Sequence, residues 1–243
     1  LITGSAGDGR VRWAFTDRHG GTSGVPYDTL NLGGHVGDDP GTVAANRLRV
    51  AARLDLAPSS VHYMNQVHGD AVGVLTGAGT EMPDTGVDAI VTAVPVTALA
   101  VLVADCVPVL LADPAAGVVA AVHAGRPGVR NGVCLRTLEV MAGLGADAGR
   151  TVAWLGPSVC AACYEVPATM RADVAAVAPA AWATSRTGTP ALDLRSGLAQ
   201  VLRDVGVQVE CVGPCTAESP DHYSYRRDGA SGRFAGLVWV EAA

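Results

Sequence analysis

The sequence predicts an α+β fold: a single compact domain of layered, mixed β-sheets flanked by helices. Three observations carry this expectation. Apolar, β-branched runs follow one another along the chain with helical patterns interspersed, without the strict strand-helix alternation of a parallel α/β sheet. Hydrophobic residues make up 49% of the chain and charged residues 16%, the balance of a well-buried core and not of a disordered or repetitive chain. At 243 residues one large domain suffices, and no linker interrupts it, so residues 1–243 are read as one unit. Folding at this size buries roughly 70–75% of the surface an unfolded chain exposes, enough to need no disulfide staples.

Taken in order, strand-like runs occur at 11–15, 60–67, 71–75, 88–93, 98–104, 107–112, 117–123, 151–155, 207–212 and 235–240. A helix is expected from about Pro40 to Arg53. Asp39 is placed to cap it, Pro40 suits its first turn, and Ala44, Leu48, Ala51 and Leu54 recur at helical spacing, with Asn46, Arg47 and Arg53 on the polar side. Further helical patterns lie at 132–143, 170–182 and 196–205. The run from 89 to 112 is long enough to span a bilayer as a helix, but Pro95, Asp105, Pro108 and its many valines mark it as consecutive buried strands.

Composition excludes several functions. A net charge of −6 disfavours nucleic-acid binding, which depends on a basic face to neutralise phosphates. All 17 basic residues are arginine, so neither a Schiff-base lysine nor the lysine of a P-loop is available. The opening stretch LITGSAGDGRVRW has no basic segment followed by an apolar core, so the expected location is the cytoplasm, without a membrane association. There the 6 cysteines are expected as reduced thiols or metal ligands.

The stretch VLVADCVPVLLADPAAGVVAAVHAG, residues 101–125, places an acid, a thiol and an imidazole at the ends of apolar strands. Asp113-Pro114-Ala115-Ala116 reads as a hairpin loop; if Ala112 faces Gly117, Cys106 falls directly opposite His123. Opposed side chains have Cβ atoms about 4.5–5.5 Å apart, within reach of one shared metal ion or proton, whereas a one-residue slip separates them. Pro108 suggests a bulge or a sheet edge nearby. In NQVHGD, Met64, Gln66 and His68 share one strand face, and His68 precedes a turn. A thiolate, two imidazoles and an open fourth position form the ligand set of a catalytic zinc, which lowers the pKa of a bound water. The same residues also suit a turn cap, a buried thiol and a hydrogen-bonded core histidine.

Several segments together resemble the YfiH family, whose members carry the labels laccase-domain or multicopper polyphenol oxidoreductase. These are TDRHGGTSGVPYDTLNLGGHVGDDP, Asn46-Arg47, NQVHG, DAIVT, ADCVPVLLAD, VHAG, GPSVCAACYEV and SYRRDGASGRFAGLVW, running from about Thr16 to Val240. The resemblance implies Zn2+ held by His68, Cys106 and His123, with copper as the lesser alternative. It also implies phosphorolysis of adenosine, inosine, guanosine and methylthioadenosine, with adenosine deamination, and for some members the editing of peptidoglycan precursors. One departure is that many relatives read HAGWRG where this chain has HAGRPG, which moves the arginine to Arg126.

Candidate catalytic residues are therefore Asp105, Cys106 and His123. Asp105 is read either as a proton acceptor or ligand-orienting group or as a structural partner of an arginine. Phosphate needs cations or backbone donors; Asn46, Arg47, Arg126 and Arg227 are the substrate-binding candidates, with Arg226 and Arg233 also available. Cys160-x-x-Cys163 and Cys211-x3-Cys215 would bind a second metal only if the fold unites two distant pairs. The expected partners are purine nucleosides and phosphate, and the expected state a monomer or homodimer. The runner-up is a metal-free thiol hydrolase, Cys106 activated by His123, acting on peptidoglycan precursors; a non-catalytic nucleoside-binding protein is a third reading. A copper laccase needs more imidazoles than 6 histidines supply.

Overall fold

The computed structural model describes residues 1–77 and 85–242. In chain order the elements are β1 (Ile2–Ala6), β2 (Val11–Phe15), α1 (Pro40–Arg53), β3 (Val61–Tyr63), β4 (Val72–Leu75), β5 (Ala89–Thr92), β6 (Ala98–Val103), β7 (Val107–Asp113), β8 (Val118–Ala124), α2 (Arg126–Asn131), α3 (Val133–Gly143), β9 (Val152–Leu155), α4 (Ala168–Ala175), β10 (Trp182–Thr184), β11 (Pro190–Leu192), α5 (Leu194–Asp204), β12 (Gln208–Cys211), α6 (Tyr225–Asp228) and β13 (Phe234–Val240). They build a five-stranded sheet ordered β1-β2-β13-β6-β3, a six-stranded sheet ordered β12-β9-β7-β8-β5-β4, and the small hairpin β10-β11. Both large sheets are mixed: β3–β6, β4–β5 and β9–β12 are parallel and the remaining pairs antiparallel. The expected α+β fold of layered mixed sheets is the one observed.

The long apolar run is explained by layering. Along β7, Val109 and Leu111 face the helices α3 and α5, while Leu110 and Ala112 face the other sheet; β8 alternates the same way. Likewise Leu99, Val101 and Val103 point between the sheets, and Ala98, Ala100 and Leu102 point toward α1. A strand buried on both faces gains from an apolar residue at every position, so the two-residue alternation of a half-exposed strand disappears. No helix among the described residues is long and apolar enough to cross a membrane.

Several local expectations are corrected. Helix α1 has its expected span, with Asp39 accepting from the Thr42 N–H at 2.7 Å. Its buried stripe, however, is Val43, Asn46, Val50 and Ala51, while Leu48 is exposed. Asn46 turns inward because its amide bridges Thr22, Ser23, Thr29 and Asn31, locking the preceding loop onto the helix. The strand expected over 60–67 stops at Tyr63, because the Gln66 side chain takes over the pairing: its amide donates to the Leu102 carbonyl at 2.7 Å and accepts from the Leu102 N–H at 2.8 Å. The helix expected over 170–182 ends at Ala175; Pro179 begins a short 3-10 turn and Trp182 begins β10. Strands β1, β10 and β11, none of them marked by a strong apolar run, were not anticipated.

The β7–β8 hairpin pairs Ala112 with Val119 and Pro108 with His123, so Cys106 lies opposite Gly125 and diagonal to His123, not directly across from it. Asp113 belongs to the strand, and Gly117 takes the left-handed conformation (φ +67°) that closes the loop. The register differs from the expected one by an even step, so Cys106 and His123 still point to the same face. Pro108 sits in a central strand, at neither a bulge nor an edge. Its carbonyl accepts from the Gly156 N–H at 2.9 Å as the terminal rung on the β9 side, so the N–H that proline lacks is missing only at the end of the β7–β9 ladder, just beyond Val109–Leu155.

Candidate active site

His123, near the end of β8, and Cys106, just before β7, both project from the six-stranded sheet toward the five-stranded one, at the open end of the inter-sheet layer. His68 arrives from the segment between β3 and β4 in a left-handed conformation (φ +60°). The ligand atoms of the three side chains all lie within 4.8 Å of one another. Cys106 Sγ is 3.8 Å from His68 Nε2, and the two imidazoles meet edge to face with centroids 4.6 Å apart.

Asp88 holds this group together, a residue to which the sequence reading assigned no role. It is fully buried at the start of β5. One carboxylate oxygen accepts from His123 Nδ1 at 2.7 Å and from the His68 N–H at 2.9 Å. The other accepts from the Gly69 and Val67 N–H groups at 2.6 and 3.2 Å. The Asp88 carbonyl also receives the His123 N–H at 2.7 Å, so His123 is gripped through both side chain and backbone. Nδ1 is committed to the carboxylate, which leaves Nε2 to face the cluster. The only signal in the sequence was an acid leading the apolar strand AIVT.

Electrostatics follow from this packing. Burial pushes the Cys106 thiol up, but the adjacent His123 and His68 outweigh it and bring its pKa down to about 6. Burial favours neutral His123, but the Cys106 thiolate and Asp88 raise it to about 9. Asp88 is held below the usual carboxylate range: burial opposes ionisation, and the bonds from His123 and the backbone N–H groups overcome it. Carboxylate, imidazolium and thiolate thus form one charge-linked row, and a cation bound between Sγ and Nε2 would take the place of the Nε2 proton.

These residues fit a metal ion. Two imidazole nitrogens and a thiolate, with one side open to a cavity, form the donor set of a catalytic zinc and not of a closed structural one. Gly125 leaves the room required: a Cβ there would stand 2.9 Å from His68 Cδ2 and 3.2 Å from Cys106 Sγ. Among the described residues, the other group able to hold a metal consists of thiols alone, so no second imidazole cluster of the kind a multicopper centre needs is found.

The donor set lines a cavity of about 370 Å³, together with Gln66, Val159, Tyr164, Tyr225, His35 and three arginines, Arg126, Arg226 and Arg233. That volume suits a nucleoside-sized ligand. The Arg226 guanidinium lies 5.0 Å from the centroid of the Tyr164 ring. Burial lifts the Tyr164 phenol above its ordinary value, with the thiolate of Cys106 adding to the effect and Arg126 and Arg226 opposing it. His35 is lowered by burial and by Arg233 and Arg47, which keeps it neutral.

The remaining sequence candidates divide. Arg126 lines the cavity. Asp105 also lines it, in a left-handed conformation (φ +90°). It pairs with no arginine side chain: one carboxylate oxygen accepts from the Thr216 and Ser224 hydroxyls at 2.6 and 2.7 Å, the other from the Arg226 N–H at 2.6 Å. Asn46, Arg47 and Arg227 stand away from the cavity lining. Asn46 is the internal lock described above. Arg47 donates twice to the Leu32 carbonyl and stacks 4.0 Å over the Tyr63 ring. Arg227 clamps the Thr216, Ser219 and His222 carbonyls and Asp228. Each arginine is spent on irregular backbone that has no ladder partner of its own.

Comparison with known proteins gives matches that cover nearly the whole chain. Residues 12–241 match the family model described as multi-copper polyphenol oxidoreductase laccase. A Streptomyces coelicolor protein named purine nucleoside phosphorylase is 56% identical, over 95% of this chain and 96% of that protein. A crystal structure of a Neisseria meningitidis protein of the DUF152 family is 35% identical, with a TM-score of 0.84 over 96% of this chain and 95% of that one. The crystal structure of the Bacillus licheniformis hypothetical protein YfiH is 27% identical, with a TM-score of 0.86 over 95% and 93%.

Proposed function

Because the chain belongs to the multi-copper polyphenol oxidoreductase laccase family, the family of YfiH, we propose that it is a zinc-dependent purine nucleoside phosphorylase, with adenosine deamination as a secondary activity. The observation that carries this reading is the convergence of His68, Cys106 and His123 on the floor of a cavity whose wall holds Arg126, Arg226 and Arg233. The name of the Streptomyces coelicolor relative supports phosphorolysis over the thiol hydrolase considered from the sequence.

In the proposed reaction a phosphate oxygen attacks C1′ of the nucleoside, the bond from C1′ to the purine breaks with its electrons on the base, the base takes up a proton, and ribose 1-phosphate is released. His68, Cys106 and His123 would hold zinc, which when bound would supply a Lewis acid for negative charge on oxygen. Arg126, Arg226 and Arg233 bind phosphate, whose planar forks suit its oxygens. Tyr164 and Tyr225 flank the purine, and the phenol of Tyr164, held protonated, is a donor toward the leaving base. Asp105 acts by positioning: it ties the turn before β7 to α6 and so keeps Cys106 and Arg226 on one rim. Adenosine, inosine, guanosine and methylthioadenosine are the substrates; deamination requires adenosine to bind with C6 of its purine turned to the donor set, where water adds at C6 and the amino group leaves as ammonia.

The test is release of hypoxanthine from inosine and phosphate by the purified protein. Cys106→Ala should lose both zinc and turnover. Absence of base release from all of these nucleosides would overturn the assignment.

A further inference from the structure

We infer that the chain carries a second, structural zinc site, formed by Cys160, Cys163 and Cys215, with the neighbouring Glu218 as the side chain that would turn in as fourth ligand, and that this site fastens one wall of the cavity. It is independent of the proposed reaction. The ligand atoms of the three thiols lie within 4.8 Å of one another, although Cys215 is far from the other two in sequence. The fold explains the meeting. Strands β9 and β12 run parallel, and the chains continue side by side beyond the sheet: the Val212 N–H donates to the Leu155 carbonyl at 2.8 Å, Ser158 bridges to Cys215, and the Thr216 N–H donates to the Ser158 carbonyl at 3.1 Å. Cys211, grouped with Cys215 in the sequence reading, lies exposed on β12 and outside the cluster.

The local geometry suits a cation shared by the three sulfurs. Cys160 and Cys163 bracket a single 3-10 turn, with the Cys163 N–H bonded to the Cys160 carbonyl at 3.0 Å, which is the C-x-x-C bite of structural zinc sites. The Cys160 N–H donates to Cys215 Sγ at 3.3 Å, the backbone-to-sulfur bond that stabilises a thiolate. Glu218 Oε1 lies 3.7 Å from Cys163 Sγ. Two ligands of one tetrahedral zinc, with bonds of about 2.3 Å to sulfur and about 2.1 Å to oxygen, are separated by about 3.6 Å. Glu218 is also paired with Arg186, which orients its carboxylate. A disulfide would use two sulfurs and leave the third without a task; a tetrahedral cation uses all three.

The two tied segments carry cavity residues. Val159 and Tyr164 line the pocket directly. Thr216 bonds Asp105 through its hydroxyl and Arg227 through its carbonyl. A cation at the thiols therefore fixes the wall that bears Tyr164 against the turn that bears Cys106.

The experiment separates the two sites by composition and by spectrum. Protein purified under reducing conditions should hold about two zinc ions per chain, and Cys106→Ala about one. Cys106→Ala reconstituted with cobalt should show the intense near-ultraviolet bands of thiolate-to-cobalt charge transfer, lost on adding Cys215→Ser. For wild-type protein, which needs no variant to fold, zinc should shield Cys160 and Cys163 from alkylation until a chelator is added. A Cys106→Ala protein without zinc and without cobalt-thiolate bands, or a disulfide among the three cysteines in freshly reduced protein, overturns the site.

Discussion

Replacing Asp88 by asparagine tests whether the ligand set is preorganised by a carboxylate. The side chain keeps its shape, and its remaining oxygen can still accept from His123 Nδ1 and the His68 N–H, as the aspartate does at 2.7 and 2.9 Å. The new NH2 then faces the Val67 and Gly69 N–H groups, two donors that in the wild-type protein donate to a carboxylate oxygen at 3.2 and 2.6 Å. Turning the amide over moves the same conflict to His123. Each buried donor left without an acceptor costs about 1–3 kcal/mol. Two of them put the total at about 2–6 kcal/mol, divided between stability and ligand geometry. Loss of a group that orients a metal-bound histidine lowers metal affinity about 10–100-fold, equivalent to about 1.4–2.8 kcal/mol. Zinc affinity, measured by competition with a chromophoric chelator, should fall by that factor, and the urea midpoint of metal-free protein should fall as well. Zinc affinity within about twofold of wild type, together with an unchanged midpoint, would refute the reasoning.

Other changes test separate parts of the molecule. Gly125→Ala places a methyl group 2.9 Å from His68 Cδ2 and 3.2 Å from Cys106 Sγ, and should weaken zinc binding by about tenfold or more while circular dichroism shows the fold retained. Arg126→Gln should raise the KM for phosphate about tenfold, with zinc content unchanged; an unaltered KM would remove Arg126 from the phosphate site. Asp113 accepts from Arg150, from the Asp147 N–H and from the Ala115 and Ala116 N–H groups, so Asp113→Asn should lower the urea midpoint at neutral pH. Burial opposes ionisation of Asp113, yet Arg150 and the backbone donors hold its pKa below the ordinary value. Its contribution is therefore complete above about pH 4 and is lost as pH falls through the folded-state value, so the gap between variant and wild type should narrow in acid.

Much of the sheet architecture was legible because β5, β6, β7 and β8 are buried on both faces and consist almost wholly of apolar residues. The hairpin register was not, because Asp113 and Gly117 permit more than one loop and strands apolar at every position leave nothing to penalise a two-residue slip. For the same reason the slip was harmless: Cys106 and His123 kept a common face. His68 was placed with the other two by family resemblance; its left-handed backbone and its dependence on Asp88 were invisible without the fold. Arginine roles were the hardest to read, since a guanidinium bound to a cavity anion and one clamping stray carbonyls use the same fork. Arg226 and Arg233 line the cavity, although Arg233 also donates to the Ser231 and Gly232 carbonyls, whereas Arg47 and Arg227 lie off the lining and serve the backbone. The helix α1 was found, but its inward face was misjudged because a buried asparagine reads as polar in any pattern of hydrophobicity.

The β7–β8 hairpin presents no side chain to water along its strands. Every position is wedged between layers, so drift in its sequence disturbs neighbours above and below at once. The far rim, where Tyr225 and Arg226 open the short helix α6 and Arg233 precedes β13, has no such confinement. Altered substrate preference should accordingly arise by exchanges on that rim, while the sulfur and imidazoles beneath it pass from one variant to the next unaltered.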